Sequence, residues 1–440
     1  MWPSGKKWVY IALVSYCDCL TFLVSMMLAP SVHKCWPPGG DKSLGSFAVT
    51  VYILGFCVGP LLLAPLTDIY GRTILYRVYI VGYIILTVAC ALSPSLEALI
   101  AFRFLAGCFG GAPMAIGGAV IADMYPPGER VRPMACYSAG TMLGPCLGPV
   151  LGGVITGSLG WRWVFWVAAM LVRVTSAAIT VRCMTDHTGR YRSRRTLSSY
   201  PNRISLRSCA VITGSRGDNC QRSYLAPGRI AFLHVPCTLI LLLICGLNGL
   251  ANMILSSLGS VYQTAYGFPT TTADLSYLGM GFGGLTALII ARQLTTAVAV
   301  RFGGDDGARR PENVLPFLFI VGPLGSAGLL WYGWSLEERA HWIVPILGLF
   351  LFGFTYMSVR LILIKAVPNY SASALAAHTV ASSIGGAFVP LGTFPLYEAV
   401  GYGWRNTVIA AANLALCLIP LGLFASARRQ GSTWSMQVDL

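Results

Sequence analysis

Apolar runs of about twenty residues recur twelve times along this chain, and no other feature narrows its fold as far. A hydrocarbon layer of about 30 Å takes ~20 helical residues to cross, and inside it the backbone has no water to satisfy its N–H and C=O groups. Runs of this length and number therefore read as membrane-spanning helices. They lie near residues 8–30, 44–64, 74–93, 96–122, 133–155, 163–181, 230–255, 273–298, 314–334, 342–364, 372–396 and 404–425. Composition agrees: 11% of residues are charged and 55% hydrophobic, where a water-soluble domain carries about 25% charge. The first run follows Lys6 and Lys7 and is too long for a signal-peptide core, so it reads as the first span.

The net charge of +15 would suit a nucleic-acid partner if the basic residues shared one folded surface. They alternate instead. Loops on the side of the N-terminus hold 24 of the 31 Lys and Arg, including Lys6, Lys7, Arg360, Lys365 and ten arginines between Arg182 and Arg229. The opposite side holds five: Lys34, Lys42, Arg162, Arg339 and Arg405. Arg103 and Arg173 fall within spans. This asymmetry predicts a cytoplasmic location for both termini.

Six spans precede the polar stretch 183–229 and six follow it, so the expected domains are 1–182, a helical bundle; 183–229, a cytoplasmic linker; and 230–440, a second bundle. The linker is rich in Arg and Ser without a helical period, and it reads as disordered, with its arginines resting on anionic lipid. It lacks the stacking aromatics of a nucleic-acid module. No phosphate loop, Ser-His-Asp set or metal-ligand cluster stands out, so neither an enzyme nor a cofactor is expected. The fourteen cysteines have no repeated short spacing and read as buried free thiols.

Three stretches carry more specific information. In GTMLGPCLGPVLGG, at 140–153, Gly140, Gly144, Gly148 and Gly152 fall at spacing four along one stripe of a helix, where they admit a close neighbour. Pro145 and Pro149 each remove a helical hydrogen bond and bend the span. In LLLAPLTDIYGRTILY, at 61–76, Gly71 supplies a sharp turn while Asp68 and Arg72 offer charges to neighbouring helix ends. In the fourth span Arg103 lies at membrane depth, where a charge is costly and marks a candidate functional site. Asp18 and Glu398 are further candidates for carrying a proton, and His234 is read as an interfacial histidine. Tryptophans at span ends, Trp8, Trp163, Trp334, Trp342 and Trp404 among them, are read as interface anchors.

These stretches resemble the major facilitator superfamily. Leu66, Asp68, Gly71 and Arg72 are similar to its signature Gly-x-Leu-x-Asp-x-x-Gly-Arg, with Ala64 for the first Gly and Thr73 for the basic residue that usually follows. Residues 103–107 resemble the fourth-helix motif, which implies a part for Arg103 in proton transfer; Ala106 stands where Gln is common. Gly144, Gly148, Pro149, Gly152 and Gly153 reproduce the fifth-helix signature G-x-x-x-G-P-x-x-G-G of the antiporters. Residues 46–72, 277–289 and 370–407 resemble the second, eighth and eleventh helices of the fungal drug:proton antiporter family. The exit from the sixth span, TVRCMTDHTGRYRS, lacks that family's acidic element, and Lys365 stands where Asp is common. The resemblance implies an all-α integral membrane protein of twelve transmembrane helices in two six-helix bundles. It implies a monomer in the plasma membrane that exports a small, largely apolar organic compound, such as a drug, toxin or secondary metabolite, in exchange for protons by alternating access. The loop at Asp68, Gly71 and Arg72 would lock one conformation. Proton-coupled uptake by symport and a transport-dead membrane sensor are the alternatives.

Overall fold

A computed structural model of the chain describes residues 4–31, 42–70, 72–114, 117, 121, 124–125, 131–175, 235–303, 317–366 and 372–430. Among them are twelve principal helices and no strand. These are α1 (Ser4–Met27), α2 (Lys42–Tyr70), α3 (Arg72–Ala91), α4 (Leu96–Gly110), α5 (Val131–Ser158), α6 (161–175), α7 (Val235–Tyr266), α8 (Tyr277–Gly303), α9 (Leu318–Glu337), α10 (Ile343–Ala366), α11 (Ala372–Phe388) and α12 (Thr393–Gln430). Each expected span thus coincides with one helix. The linker 183–229, His234 and Gly71 lie outside the described residues, as do the side chains of Asp68, Arg72, Lys365 and Glu398.

Where helix ends differ from the apolar runs, tertiary contacts account for it. The seventh run stops at 255, yet α7 continues to Tyr266. Its last turns are held by Tyr262 and Tyr266, whose hydroxyls donate to the carbonyls of Trp342 (3.2 Å) and Ala340 (2.7 Å) before α10. Hydropathy carries no trace of those bonds. Within α12, Gly401 adopts φ 79° and ψ −180°, a conformation that side chains oppose, and breaks the helix in two. The carboxylate of Glu337 caps the new N-terminus, its Oε2 accepting from the amides of Tyr402 (2.9 Å) and Gly403 (3.1 Å).

Each half has its own buried clusters. Val164, Ala168 and Val172 of α6 pack onto Leu20, Leu23, Tyr52 and Ala106 of α1, α2 and α4. Leu258, Tyr277, Leu329, Leu349 and Ile409 bring α7, α8, α9, α10 and α12 together in a cluster of the second half, which also receives Met142 and Cys146 from α5. Two helix pairs, α2 with α11 and α5 with α8, form the main joint between the halves. The outer surface is apolar: Val78, Val81, Ile85, Met170, Val174, Ile289, Ile320 and Leu418 are each more than half exposed. In water such a surface would aggregate. Lipid is its natural solvent, and six of the described helices are long and apolar enough to cross a membrane. Trp8, Trp163, Trp334, Trp342 and Trp404 are partly exposed near helix ends, as interface anchors are.

The glycine stripe of α5 meets α1. Gly140, Gly144, Gly148 and Gly152 face the carbonyl oxygens of Ser15, Cys19, Leu23 and Met27 in turn, one helical turn at a time. A Cβ added to Gly144 would fall 2.6 Å from the Cys19 oxygen, and one on Gly148 would fall 2.5 Å from that of Leu23. No side chain fits there without the two helices moving apart. Gly148→Val should therefore destabilise the protein by roughly 1–3 kcal/mol, the usual cost of overpacking. Gly422→Ala, in open space on α12, should leave the midpoint unchanged or raise it. Thermal unfolding of the purified variants in detergent checks both, and an unchanged midpoint for Gly148→Val would contradict the packing.

Candidate functional site

A central cavity opens between the halves, with about 910 Å³ of free space including its mouth. Helices α1, α2 and α5 supply one wall and α7, α8, α10 and α11 the other. Most of the lining is apolar, with Phe22, Met26, Ile53 and Phe56 facing Leu247, Leu255, Met280 and Val359. The polar groups gather at a few points, as in pockets that orient an otherwise apolar ligand.

On the second wall, α7, α10 and α11 are joined by one amide. Asn248 Oδ1 accepts from the Tyr356 hydroxyl (2.7 Å), its Nδ2 donates to the Ser382 carbonyl (2.6 Å), and Asn252 Nδ2 donates to the Asn248 carbonyl (2.9 Å). Gly386 leaves room for both amides. Arg360 stands one turn beyond Tyr356 on the same face of α10 and lines the cavity. On the first wall Thr141 lines the cavity and donates to Asp18 Oδ2 (2.8 Å). Asp18 itself is fully buried behind that surface, with the Tyr137 hydroxyl beside it and the charge of Arg360 acting on both.

Arg103 lies one layer behind the wall. Its Nη1 and Nη2 donate to the carbonyls of Val24 (3.4 Å) and Ser25 (3.0 Å), and Nε donates to that of Ala48 (3.2 Å) on α2. Residues 24 and 25 belong to the last turn of α1, where helical carbonyls have no partner of their own. The guanidinium therefore closes the C-terminal end of α1 while tying α4 to α2, and the rings of Tyr52 and Phe165 flank it at 5.1 and 5.6 Å. Arg103 and Asp18 are both buried in the first half; Asp18 accepts from the cavity-lining Thr141 hydroxyl, while the hydrogen bonds described for Arg103 go to backbone carbonyls.

Two sequence assignments are corrected. Arg360, counted among the cytoplasmic loop residues, faces the cavity from within α10. Arg405, counted on the opposite side, is fully buried in α12, its Nη2 reaching Ser257 Oγ (3.4 Å) and the Met253 carbonyl (3.5 Å) of α7. Both lie inside apolar runs, and assigning every charge near a run's end to a loop hid them. Asp274, in the turn before α8, also escaped notice: it is fully buried against Gly259, and neither carboxyl oxygen has a hydrogen-bond partner among the described residues. Its place next to the start of an apolar run was the available signal.

Two bundles enclosing a cavity at their joint define a membrane carrier, and comparison with known proteins agrees. The Major Facilitator Superfamily profile matches residues 12–390. The efflux pump radE of Floropilus chiversii is 36% identical over 449 residues, covering 100% of this chain and 84% of the relative. The MFS-type transporter hepF of Aspergillus oryzae is 32% identical over 455 residues, covering 99% and 92%. Among solved structures, the partially occluded inward-open xylose transporter XylE from E. coli superposes with a TM-score of 0.71 at 15% identity, covering 95% of this chain and 98% of that one. This chain belongs to the Major Facilitator Superfamily: it is a multi-pass membrane transporter, not an enzyme.

Removing the guanidinium at 103 would leave three carbonyls short of a donor and a void beside Tyr52. Arg103→Ala should cost roughly 3 kcal/mol or more, lowering both the yield of folded protein and its unfolding midpoint in detergent. Arg103→Lys, with one ammonium for three acceptors, should fall between the two. An Arg103→Ala protein as stable as the parent would rule out the clamp.

Proposed function

We propose that this transporter is a proton-coupled exporter of a small, largely apolar organic compound, working by alternating access in the plasma membrane with both termini cytoplasmic. The observation that carries this reading is the cavity itself: it is shared between the halves and mostly apolar, with polar groups at a few fixed points. Rocking the halves about the α2–α11 and α5–α8 contacts would expose it to either side. The two halves also meet near the end of α5, where Gly157 lies against Thr271 in the short helix Thr270–Ala273 that follows α7, and the turn Ala29–Ser31 lies against α7. With cytoplasmic termini, this arrangement corresponds to a state closed at the outer face.

Export is favoured over uptake by the relative named as an efflux pump and by the antiporter-type stripe on α5. Asp18 is the group we assign to proton carriage. It is a buried carboxyl one hydroxyl away from the cavity, so a proton on it changes the charge facing the substrate without touching the substrate. Arg103 would act by keeping α1, and with it Asp18, in place. Asp68, Gly71 and Arg72 would stabilise one of the two states.

Inside-out vesicles with an acidic lumen test the reading, with dansyl-leucine as probe. The expected result is accumulation that a protonophore collapses and that Asp18→Asn reduces to the level of vesicles lacking the protein, at equal protein abundance. Accumulation only with the gradient reversed would mean symport. Flux indifferent to both the protonophore and Asp18→Asn would overturn the proton coupling.

A further inference from the structure

Resting on the transporter reading above, we infer that the substrate is an organic anion: a bulky apolar body bearing one acidic group, which Arg360 receives. Arg360 lines the cavity and makes no hydrogen bond or ion pair with a described residue. Arg360 is partly buried, whereas the two fully buried arginines, Arg103 and Arg405, are both engaged with oxygens of neighbouring helices. A partly buried guanidinium facing a largely apolar lining, with no carboxylate in contact, attracts an anion more strongly than it would in open water.

The carboxylate on the opposite wall does not serve that purpose. Asp18 is shielded from the cavity by Thr141, which occupies one of its oxygens, and it acts on Arg360 only through space. Nor does the second wall neutralise the charge, since Asn248 is committed to Tyr356 and Ser382. The planar fork of an arginine matches a carboxylate or an acidic enol with two parallel N–H···O bonds. Elsewhere in the cavity the lining of Phe22, Met26, Phe56 and Leu255 suits a hydrophobic body rather than a second polar group. The cavity is therefore built for an amphiphile with one negative end.

Binding measured without any gradient separates this inference from the transport reading. The protein in lipid nanodiscs is titrated with dansyl-leucine and with dansyl-leucine methyl ester, which share one fluorescent apolar body and differ by one charge. The parent should bind the acid about tenfold more tightly than the ester, a ratio in keeping with one charge-assisted contact. Arg360→Gln should bring the acid's affinity down to that of the ester, and Arg360→Lys should recover part of the preference. Equal affinities in the parent, no binding of the acid, or an acid preference that survives in Arg360→Gln would overturn the inference. A protein that prefers the acid yet moves none of it would refute the exporter reading alone.

Discussion

The carbonyl oxygens of α1 pack directly against glycines of α5, and much of the first bundle depends on that contact. Lipid is as apolar as a leucine side chain, so burying apolar surface between two membrane helices gains little; close van der Waals contact has to supply the attraction. Glycine makes it available by removing the side chain that would hold the backbones apart. The same device recurs wherever helices pair tightly. Gly55, Gly59 and Gly107 bring α2 onto α4, Gly283 and Gly353 bring α8 onto α10, and Gly328 and Gly348 face one another between α9 and α10. Each half is thus a set of helices welded in pairs, which is what a body that moves as a unit requires.

Between the halves the chemistry changes. Gly281 and Gly284 of α8 meet the side chains of Cys146 and Met142, and Gly386 of α11 meets Ile53. Side chains lie against glycine here, where the tight pairs just named within the halves set backbone against backbone. A methionine adapts to several shapes at little cost, so this joint can change its geometry without breaking hydrogen bonds. Rigid pairs within the halves and a compliant seam between them are the mechanical conditions for alternating access.

Much of this was legible in the amino-acid sequence, for identifiable reasons. Span number follows from the length of apolar runs because the thickness of a bilayer is a fixed ruler. The α5 stripe was visible because spacing four maps onto one helical face, although spacing says nothing of the partner, α1. Gly55 and Gly59 have the same spacing and could have been read the same way. Charge direction was not legible. Arg103, Arg360 and Arg405 all lie within apolar runs, yet one closes a helix end, one faces the cavity and one ties α12 to α7. Hydropathy counts a charge without saying where it points, and only the register of neighbouring helices decides that. Asp18 is the intermediate case: its depth could be read from the run around it, but the Thr141 hydroxyl that joins it to the cavity comes from a helix more than a hundred residues away.

The three arginines within the helices, two buried and one facing the cavity, also explain why the cavity is asymmetric. Arg103 and Arg405 spend their charge on oxygens of neighbouring helices, one in each half, and so hold a bundle together at the depth where an unsatisfied carbonyl is most costly. A charge used in this way cannot also greet a ligand. Arg360 is released from that duty because the wall behind it is already tied by Asn248, whose single amide joins α7, α10 and α11. The first wall combines hydrogen bonds with close packing: Arg103 ties α1, α2 and α4 from behind, and the α1–α5 glycine contact places Asp18 and Thr141 in register across two backbones. One wall therefore carries the positive charge that faces the cavity, while the other carries the carboxyl. That division puts the titratable group and the fixed charge on opposite bodies, so any rocking of the halves changes the distance between them.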